Sequence, residues 1–405
     1  MNSAFSIYQR AHRVLKKNGF AGLLSVGTQL IKFFFSGICL KKPKKGALNI
    51  LYVIGSSSNE SARYRVYNLI EALAPHGITA QATHQESLIY LRPNGYDAVV
   101  FFRCKMNATT KRFAEKCRRL AIPKIYDVDD LVFDEAIIDR LHKEGFLTDK
   151  QYQVYMNETS KYTLMLKACD YATGATVYLC DYMRALVGID VFHIPNGLNQ
   201  AQIKAAEKLP QKPSAGIKIG FLSGSNTHKR DFELAVPSLL SMMVKYPDVS
   251  LVIVGYLDIP TEFEYLGDRV VHVPYMDYIE LIQYCSQIYA VIIPLEYETA
   301  FCNAKSELKY FEQALVGVPV IASPTATYKA CITDGVNGLL AANAEQWEMA
   351  LEQIISDRDF HDTLAKNALQ QIRGSYYPEK IGEAASETYR QITESWIMQM
   401  ERRKN

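Results

Sequence analysis

The sequence predicts two doubly wound α/β domains in one chain, and three observations carry that expectation. Short apolar runs of strand type alternate with stretches of helical periodicity, the pattern of parallel strands covered on both faces. The alternation breaks at a Pro- and Lys-containing stretch, 209–215, and restarts near residue 217. A length of 405 residues is enough to bury two such cores.

Each element follows in order. Residues 48–54 (LNILYVI) form the first strand, which ends at Gly55-Ser56-Ser57-Ser58. A helix then starts near Ser61, with Val66, Leu69, Ile70 and Leu73 at the spacing of one helical face. Residues 98–102 (AVVFF) are a second buried strand, and 124–126 a third that leads into Asp127-Val128-Asp129-Asp130. Strands at 171–173 and 191–194 flank a helical stretch at 176–186. Beyond the break, strands fall at 217–222, 251–254, 270–273, 290–294 and 320–322. In such sheets ligands bind beyond the carboxyl ends of the strands, and a cleft between two facing domains is the expected active site.

Composition narrows the classes. Hydrophobic residues make up 48% and charged residues 22%, which fits a globular protein and no disordered or fibrous one. Net charge is only +2, yet residues 1–45 hold nine Lys or Arg and no Asp or Glu. A basic arm on a mildly acidic body calls for an anionic partner. An anionic membrane surface suits it; a nucleic acid does not, because the body is acidic and carries no matching module. The eight cysteines show no C-x-x-C pair, so reduced, buried thiols in a cytoplasmic protein are expected and a zinc site is not. No apolar run is long enough for a transmembrane helix, and no cleavage site marks a signal peptide.

The arm has its own pattern. Phe20, Leu23, Leu24, Ile31, Phe34, Phe35 and Ile38 fall on one helical stripe, and Lys16, Lys17, Lys32, Lys41, Lys42, Lys44 and Lys45 surround it. That combination predicts one helix, or two broken near Gly27, lying in a membrane interface. Packing on the N-terminal domain or on a second subunit is the alternative.

The chemistry concentrates in residues 301–323, FCNAKSELKYFEQALVGVPVIAS. Lys305 and Lys309 are expected one turn apart on the helix that also carries Glu312. Gly220-Phe-Leu-Ser-Gly-Ser-Asn-Thr-His-Lys-Arg-Asp-Phe232 follows a strand and opens a helix. Ser223, Gly224 and Ser225 permit close backbone approach, and His228, Lys229 and Arg230 are candidate cations. A plain loop explains this turn equally well. The same holds for Pro274-Tyr275-Met276.

The stretch from Glu312 through Gly317-Val-Pro-Val-Ile-Ala-Ser323 resembles the donor-site motif of group 1 retaining glycosyltransferases, which have the GT-B fold of two facing Rossmann-like domains. Asn303, Lys305, Ser306, Lys309 and Glu312 match the pattern of a subset of that family, with Ala304 where the common motif has a first Glu. The resemblance covers most of residues 48–395. It implies a nucleotide-sugar donor bound by the C-terminal domain: Glu312 at the ribose, the turn through Arg230 near the diphosphate, Tyr275 in the loop that receives the base, and Asn303 among the donor-binding residues. It implies catalysis by Lys305 and Lys309 acting on the leaving diphosphate, with retention of anomeric configuration and no metal or other cofactor. The acceptor would be a glycan or a lipid-linked one, in bacterial cell-surface polysaccharide synthesis on the cytoplasmic face of the membrane. The expected layout is a basic extension at 1–45, an acceptor-side domain at 46–208, a donor domain at 209–375 and a helix at 376–405 that crosses back, with Ile381, Ala385, Tyr389 and Ile392 on its inner face.

Three readings stay open. Asp127-Val-Asp-Asp130 has the look of a metal-binding D-x-D, but a donor site of metal-independent type is already present. Asp130 is therefore taken as an acceptor-side or active-site-shaping residue, against a helix-capping loop. Arg63, Arg65 and Arg103 could hold an acceptor phosphate or be ordinary surface cations. An epimerase or a non-catalytic nucleotide-binding subunit on the same fold is the alternative to a transferase.

Overall fold

The computed structural model describes residues 28–29, 31–56, 59–145, 147–209, 216–224 and 228–403. Ser225, the linker residues 210–215 and the part of the apolar stripe at Phe20, Leu23 and Leu24, with Lys16 and Lys17, lie outside the described residues.

Two six-stranded sheets organise the chain. The first has β1 (Leu48–Ile54), β2 (Ile78–His84), β3 (Ala98–Phe102), β4 (Lys124–Val128), β5 (Tyr171–Gly174) and β6 (Asp190–His193), in the order β2-β1-β3-β4-β5-β6. The second has β7 (Ile217–Ser223), β8 (Val249–Gly255), β9 (Val270–Val273), β10 (Ala290–Ile293), β11 (Val320–Ala322) and β12 (Leu339–Leu340), in the order β12-β11-β10-β7-β8-β9. β1 runs parallel to β2 and β3, and β7 runs parallel to β8 and β10. This is the predicted α/β class. Every predicted strand is present, and two were not anticipated. β2 (ITAQATH) is an edge strand that pairs only with β1, so its half-exposed middle tolerates polar residues. β12 has only two residues, too few for a periodicity.

The strand orders locate the crevices. The chain winds outward from β7 through β8 and β9, then returns to place β10 on the other side of β7. That reversal opens a crevice beyond the carboxyl ends of β7 and β10, the point where open α/β sheets bind ligands. The corresponding reversal in the first sheet lies between β1 and β3.

By packing, one unit comprises the described residues of Met1–Val128, Val132–Ala172 and Ser386–Asn405, and the other Asp129–Leu131 and Thr173–Ala385. The helices that matter to the second unit's site are α1 (Gln200–Glu207), α2 (Lys229–Glu233), α3 (Ala300–Ala304) and α4 (Leu308–Leu315). The last helix, α5 (Pro378–Arg402), begins in the second unit and ends in the first. Its predicted inner face is real: Ile381, Ala385, Tyr389 and Ile392 are all buried. The second unit's core packs Ile219, Phe221, Leu251, Ile253 and Ile292 of the sheet against Phe232, Trp347 and Leu351.

Gly255 shows why the strand ends can meet. Its φ is +110°, and an added Cβ would sit 2.0 Å from the Ser223 carbonyl oxygen. Only glycine allows this backbone at this separation.

In the first unit the sheet's carboxyl end is held by a charge pair. Arg65, on the π-helical turn Arg63–Tyr67, donates from Nε and Nη2 to Asp127 at 3.1 and 2.6 Å, and both side chains are fully buried. Asp127 is therefore committed to Arg65, and the reading of Arg65 as a surface or phosphate-binding cation is corrected: it is an internal tie. Breaking a buried pair strands the surviving charge, whereas replacing both removes the desolvation cost with the attraction. Asp127→Asn alone is expected to destabilise the protein by about 3–5 kcal/mol in urea unfolding. The double variant Arg65→Met/Asp127→Leu should lose clearly less than the single.

Candidate functional site

The site residues gather where α2, the segment after β10 and the α3–α4 junction come together. Lys305 and Lys309 do not share a helix. α3 ends at Ala304, capped at its start by Thr299, and Lys305 turns extended with φ −63° and ψ 137°. A new helix, α4, starts after Glu307. The expectation of two lysines one turn apart is corrected, and the cause is tertiary. Glu307 is buried and accepts hydrogen bonds from the Tyr376 hydroxyl at 2.9 Å and Ser306 Oγ at 3.1 Å. Burial pushes its carboxyl above the ordinary range despite these bonds. Anchoring Glu307 there breaks the helix and leaves Lys305 in the gap.

Asp231, on α2, is the residue on which the gap closes. Its carboxylate lies 3.0 Å from His228 Nδ1, 3.5 Å from Lys305 Nζ and 3.9 Å from Cys302 Sγ, and it accepts the Glu296 backbone N–H at 3.2 Å. It is buried, which by itself would raise its pKa. The His228 hydrogen bond, Lys305 and the Glu296 amide outweigh burial and hold it below the usual carboxylate range. An ionised carboxylate only accepts, so His228 Nδ1 carries the hydrogen. That bond favours the imidazolium, but burial and the nearby Lys309 and Lys305 prevail and lower the His228 pKa. Sequence reasoning missed Asp231; its spacing of three from His228 on an incipient helix was the available signal.

Lys309 is half-buried on α4, with Nζ 5.6 Å from the centre of the Phe221 ring. Burial and repulsion from Lys305 outweigh attraction by Asp231 and Glu312 and bring its pKa down to about 8. Glu312, on the same helix, accepts from Gln202 Nε2 of α1 at 3.1 Å, a partner the sequence did not reveal. Asn303 was expected to face the donor. Its Nδ2 instead donates to the Tyr297 and Thr299 carbonyls at 2.6 and 2.9 Å, and its Oδ1 accepts from the Ala326 amide at 2.7 Å. Both amide hydrogens are thus spent on the fold, so Asn303 braces the loop before α3. Ala304 is fully buried, and its carbonyl accepts from Thr176 Oγ1.

The remaining candidates are more scattered. Ser223 is buried at the end of β7, and Gly224 beside it is exposed. Lys229 is exposed, and Arg230 pairs with Glu296 at 2.9 Å. Of the three adjacent cations, then, only His228 is held by Asp231. Tyr275 is exposed and stacks on Tyr256, ring centres 5.2 Å apart, so β8 and β9 each end at an aromatic ring. Asp130 accepts the amide of its neighbour Leu131 at 2.9 Å. Arg103 has a φ of +45°, strained for a residue with a side chain, at the end of β3. Among the described residues no group of three or more His, Cys, Asp or Glu side chains could hold a metal ion. The eight cysteines are free thiols, all buried except Cys39.

Residues 217–357 match the protein-family model described as Glycosyl transferases group 1. Over 178 residues the chain is 25% identical to the phosphatidyl-myo-inositol mannosyltransferase of Mycolicibacterium smegmatis, covering 43% of this chain and 45% of that protein, so the match spans less than half of that relative. Among solved structures, sucrose-phosphate synthase from Thermosynechococcus elongatus superposes with a TM-score of 0.57 at 18% identity, over 86% of this chain and 100% of that one. Anabaena Alr3699/HepE in complex with UDP-glucose gives 0.58 at 14% identity, over 85% and 100%. At these identities the likeness shows the fold, which is GT-B.

A cation held below its natural pKa is a cost to the unliganded fold. Below pH 8 folded and unfolded chains both carry the Lys309 proton, and the full cost applies. Between about 8 and the unfolded value near 10.5 only the unfolded chain keeps it, so stability rises with pH. Lys309→Met should therefore melt higher than the unaltered protein at pH 7. The gap should shrink steadily between pH 8 and 10.5 in calorimetry.

Proposed function

We propose that this chain, a GT-B protein whose residues 217–357 form a group 1 glycosyltransferase domain, transfers a sugar from a nucleotide-sugar donor to a glycan or lipid-linked acceptor with retention of configuration. The observation that carries this reading is the cluster of His228, Lys305 and Lys309 around Asp231, beside Glu312, at the crevice between β7 and β10. Cations so placed match a diphosphate, and a carboxylate fixed by Gln202 matches a ribose diol.

The chemistry follows from charge. As the bond from the anomeric carbon to the diphosphate breaks, negative charge grows on the phosphate oxygens. Lys305 and Lys309 stabilise it, and this is the largest contribution such a site can make. A phosphate oxygen of the departing diphosphate takes the acceptor hydroxyl's proton, and that hydroxyl attacks the face the diphosphate leaves. No protein nucleophile and no metal takes part in this scheme. Tyr275, and Tyr256 with it, offer the base a flat surface.

The acceptor reading draws support from the arm. Ile31, Phe34, Phe35 and Ile38 are exposed, by 58%, 40%, 50% and 66%. Ile89 and Tyr90 are exposed as well, and Tyr90 packs edge-on against Phe34 at 5.5 Å. Phe33 turns the other way and stacks on His84, while Ser36 bonds to Thr83 and to the His84 amide. The segment is thus docked on β2 through one face and presents an apolar face outward, with Lys32, Lys41 and Lys42 nearby in sequence. An exposed apolar patch with lysines close to it in sequence suits an anionic lipid surface, where a lipid-linked acceptor resides. Among the described residues no helix is long and apolar enough to cross a membrane.

Nucleotide sugars that bind the folded state should raise the melting temperature of the protein, and a panel of them identifies the donor. With that donor, Lys305→Ala should slow transfer by roughly 10²–10³-fold, equivalent to about 2.7–4 kcal/mol. Glu312→Ala should remove detectable turnover, both variants remaining folded by circular dichroism. The anomeric coupling constant of the product, read by NMR, should match that of the donor; inversion rejects the mechanism.

In flotation on vesicles containing phosphatidylserine at low salt, the full chain should rise with the lipid. The Phe34→Ser/Phe35→Ser/Ile38→Ser variant should stay behind, as should the full chain on purely zwitterionic vesicles. If the full chain stays unbound on the anionic vesicles, the membrane reading fails.

A further inference from the structure

A negative charge beside a diphosphate site is at first sight a defect. Asp231 is buried within reach of two of the groups meant to attract phosphate, and by Coulomb's law its carboxylate repels the same ligand. Removing it should then improve anion binding, unless it does something worth more than the repulsion.

The geometry shows what that is. Asp231 ties the start of its own helix to two other segments: it meets His228 at the N-cap of α2, the Glu296 amide after β10, and Lys305 in the gap between α3 and α4. Each segment alone leaves its group poorly held. Lys305 lies outside either helix, and its other close partner is the face of the Phe301 ring, 4.9 Å from Nζ. His228 is the N-cap residue of α2, and its side chain makes no capping bond to that helix. A long ammonium side chain free to rotate loses entropy when it meets a phosphate; one already anchored has lost it on folding. The His228 bond also sets the tautomer. With Nδ1–H given to the carboxylate, Nε2 is the nitrogen left without the ring's hydrogen.

We propose that Asp231 is the positioning residue of the donor site, holding the His228 imidazole and the Lys305 ammonium where a diphosphate group binds. It acts through them and does not touch the sugar. This inference rests on the donor-site reading above. The titratable groups around it are His228 and Arg230 near α2, Glu296 after β10, Cys302 on α3, Lys305 and, on α4, Lys309.

The test uses UDP, GDP and ADP as probes on the full chain, by isothermal titration calorimetry. Asp231→Asn keeps the size and the acceptor oxygen but removes the charge. It is expected to weaken binding of the preferred nucleotide at least tenfold. The same change in a His228→Gln/Lys305→Ala background should have an effect below threefold, because both groups it positions are gone. The His228 imidazole, followed by NMR in the unliganded protein, should titrate at lower pH in Asp231→Asn than in the unaltered protein. Unchanged or tighter nucleotide binding by Asp231→Asn overturns the inference and leaves the donor-site reading intact. Failure of the unaltered protein to bind any of the three nucleotides overturns both. If Asp231→Asn does not fold, His228→Gln and Lys305→Met, singly and together, leave Asp231 in place. Coupling between them of at least threefold supports a shared anchor, and strict additivity rejects it.

Discussion

The buried carboxylate of Asp231 is the constraint on which the second unit's site depends. Sheet topology brings the carboxyl ends of β7 and β10 side by side, but topology alone leaves two loops and a helix break with no common reference. One ionised group accepting from a histidine, a lysine and a backbone amide supplies that reference. A neutral residue of the same size would make fewer and weaker bonds, since hydrogen bonds to charged groups are roughly twice as strong as neutral ones.

The site is assembled at the expense of local stability. Lys309 is held below its natural pKa by burial and by a like charge, and Glu307 is held above its own by burial. Both strains lie at the α3–α4 junction, and an anionic ligand would relieve the first of them. The first unit uses the opposite arrangement at its own strand ends. There Arg65 and Asp127 neutralise each other without exposure to water, which fixes the π-helical turn against β4. One charge set is closed on itself, and the other keeps an excess of cations.

The arm shows how one segment can serve two solvents. Phe33 and Ser36 bind it to the edge of β2, and Lys41 exchanges backbone hydrogen bonds with the Gln81 side chain. The polar middle of β2, which hid that strand from a periodicity argument, is the part of the edge to which the arm bonds. With one face so occupied, the phenylalanines and isoleucines at 31, 34, 35 and 38 are left outward.

Much of this protein was legible in the sequence. Parallel strands buried on both faces are continuous apolar runs, so ten of the twelve were visible, and the inner face of α5 was visible in its helical spacing. The segment around Glu312 carried its family pattern in plain order. What the sequence could not determine depended on contacts between distant residues. Whether Lys305 belonged to the helix of Lys309 was decided by Tyr376, some seventy residues away, which anchors Glu307 and ends the helix early. The bonds of Asn303 to the Tyr297 and Thr299 carbonyls and to the Ala326 amide, twenty-three residues on, appear only in the folded chain. At Gly197 an added Cβ would lie 2.4 Å from Ile381, so the start of α5 is what demands glycine. Local pattern reports burial and periodicity because these act within a few residues. The partners of a buried charge are chosen only when the sheet brings its strand ends together, and that choice is tertiary.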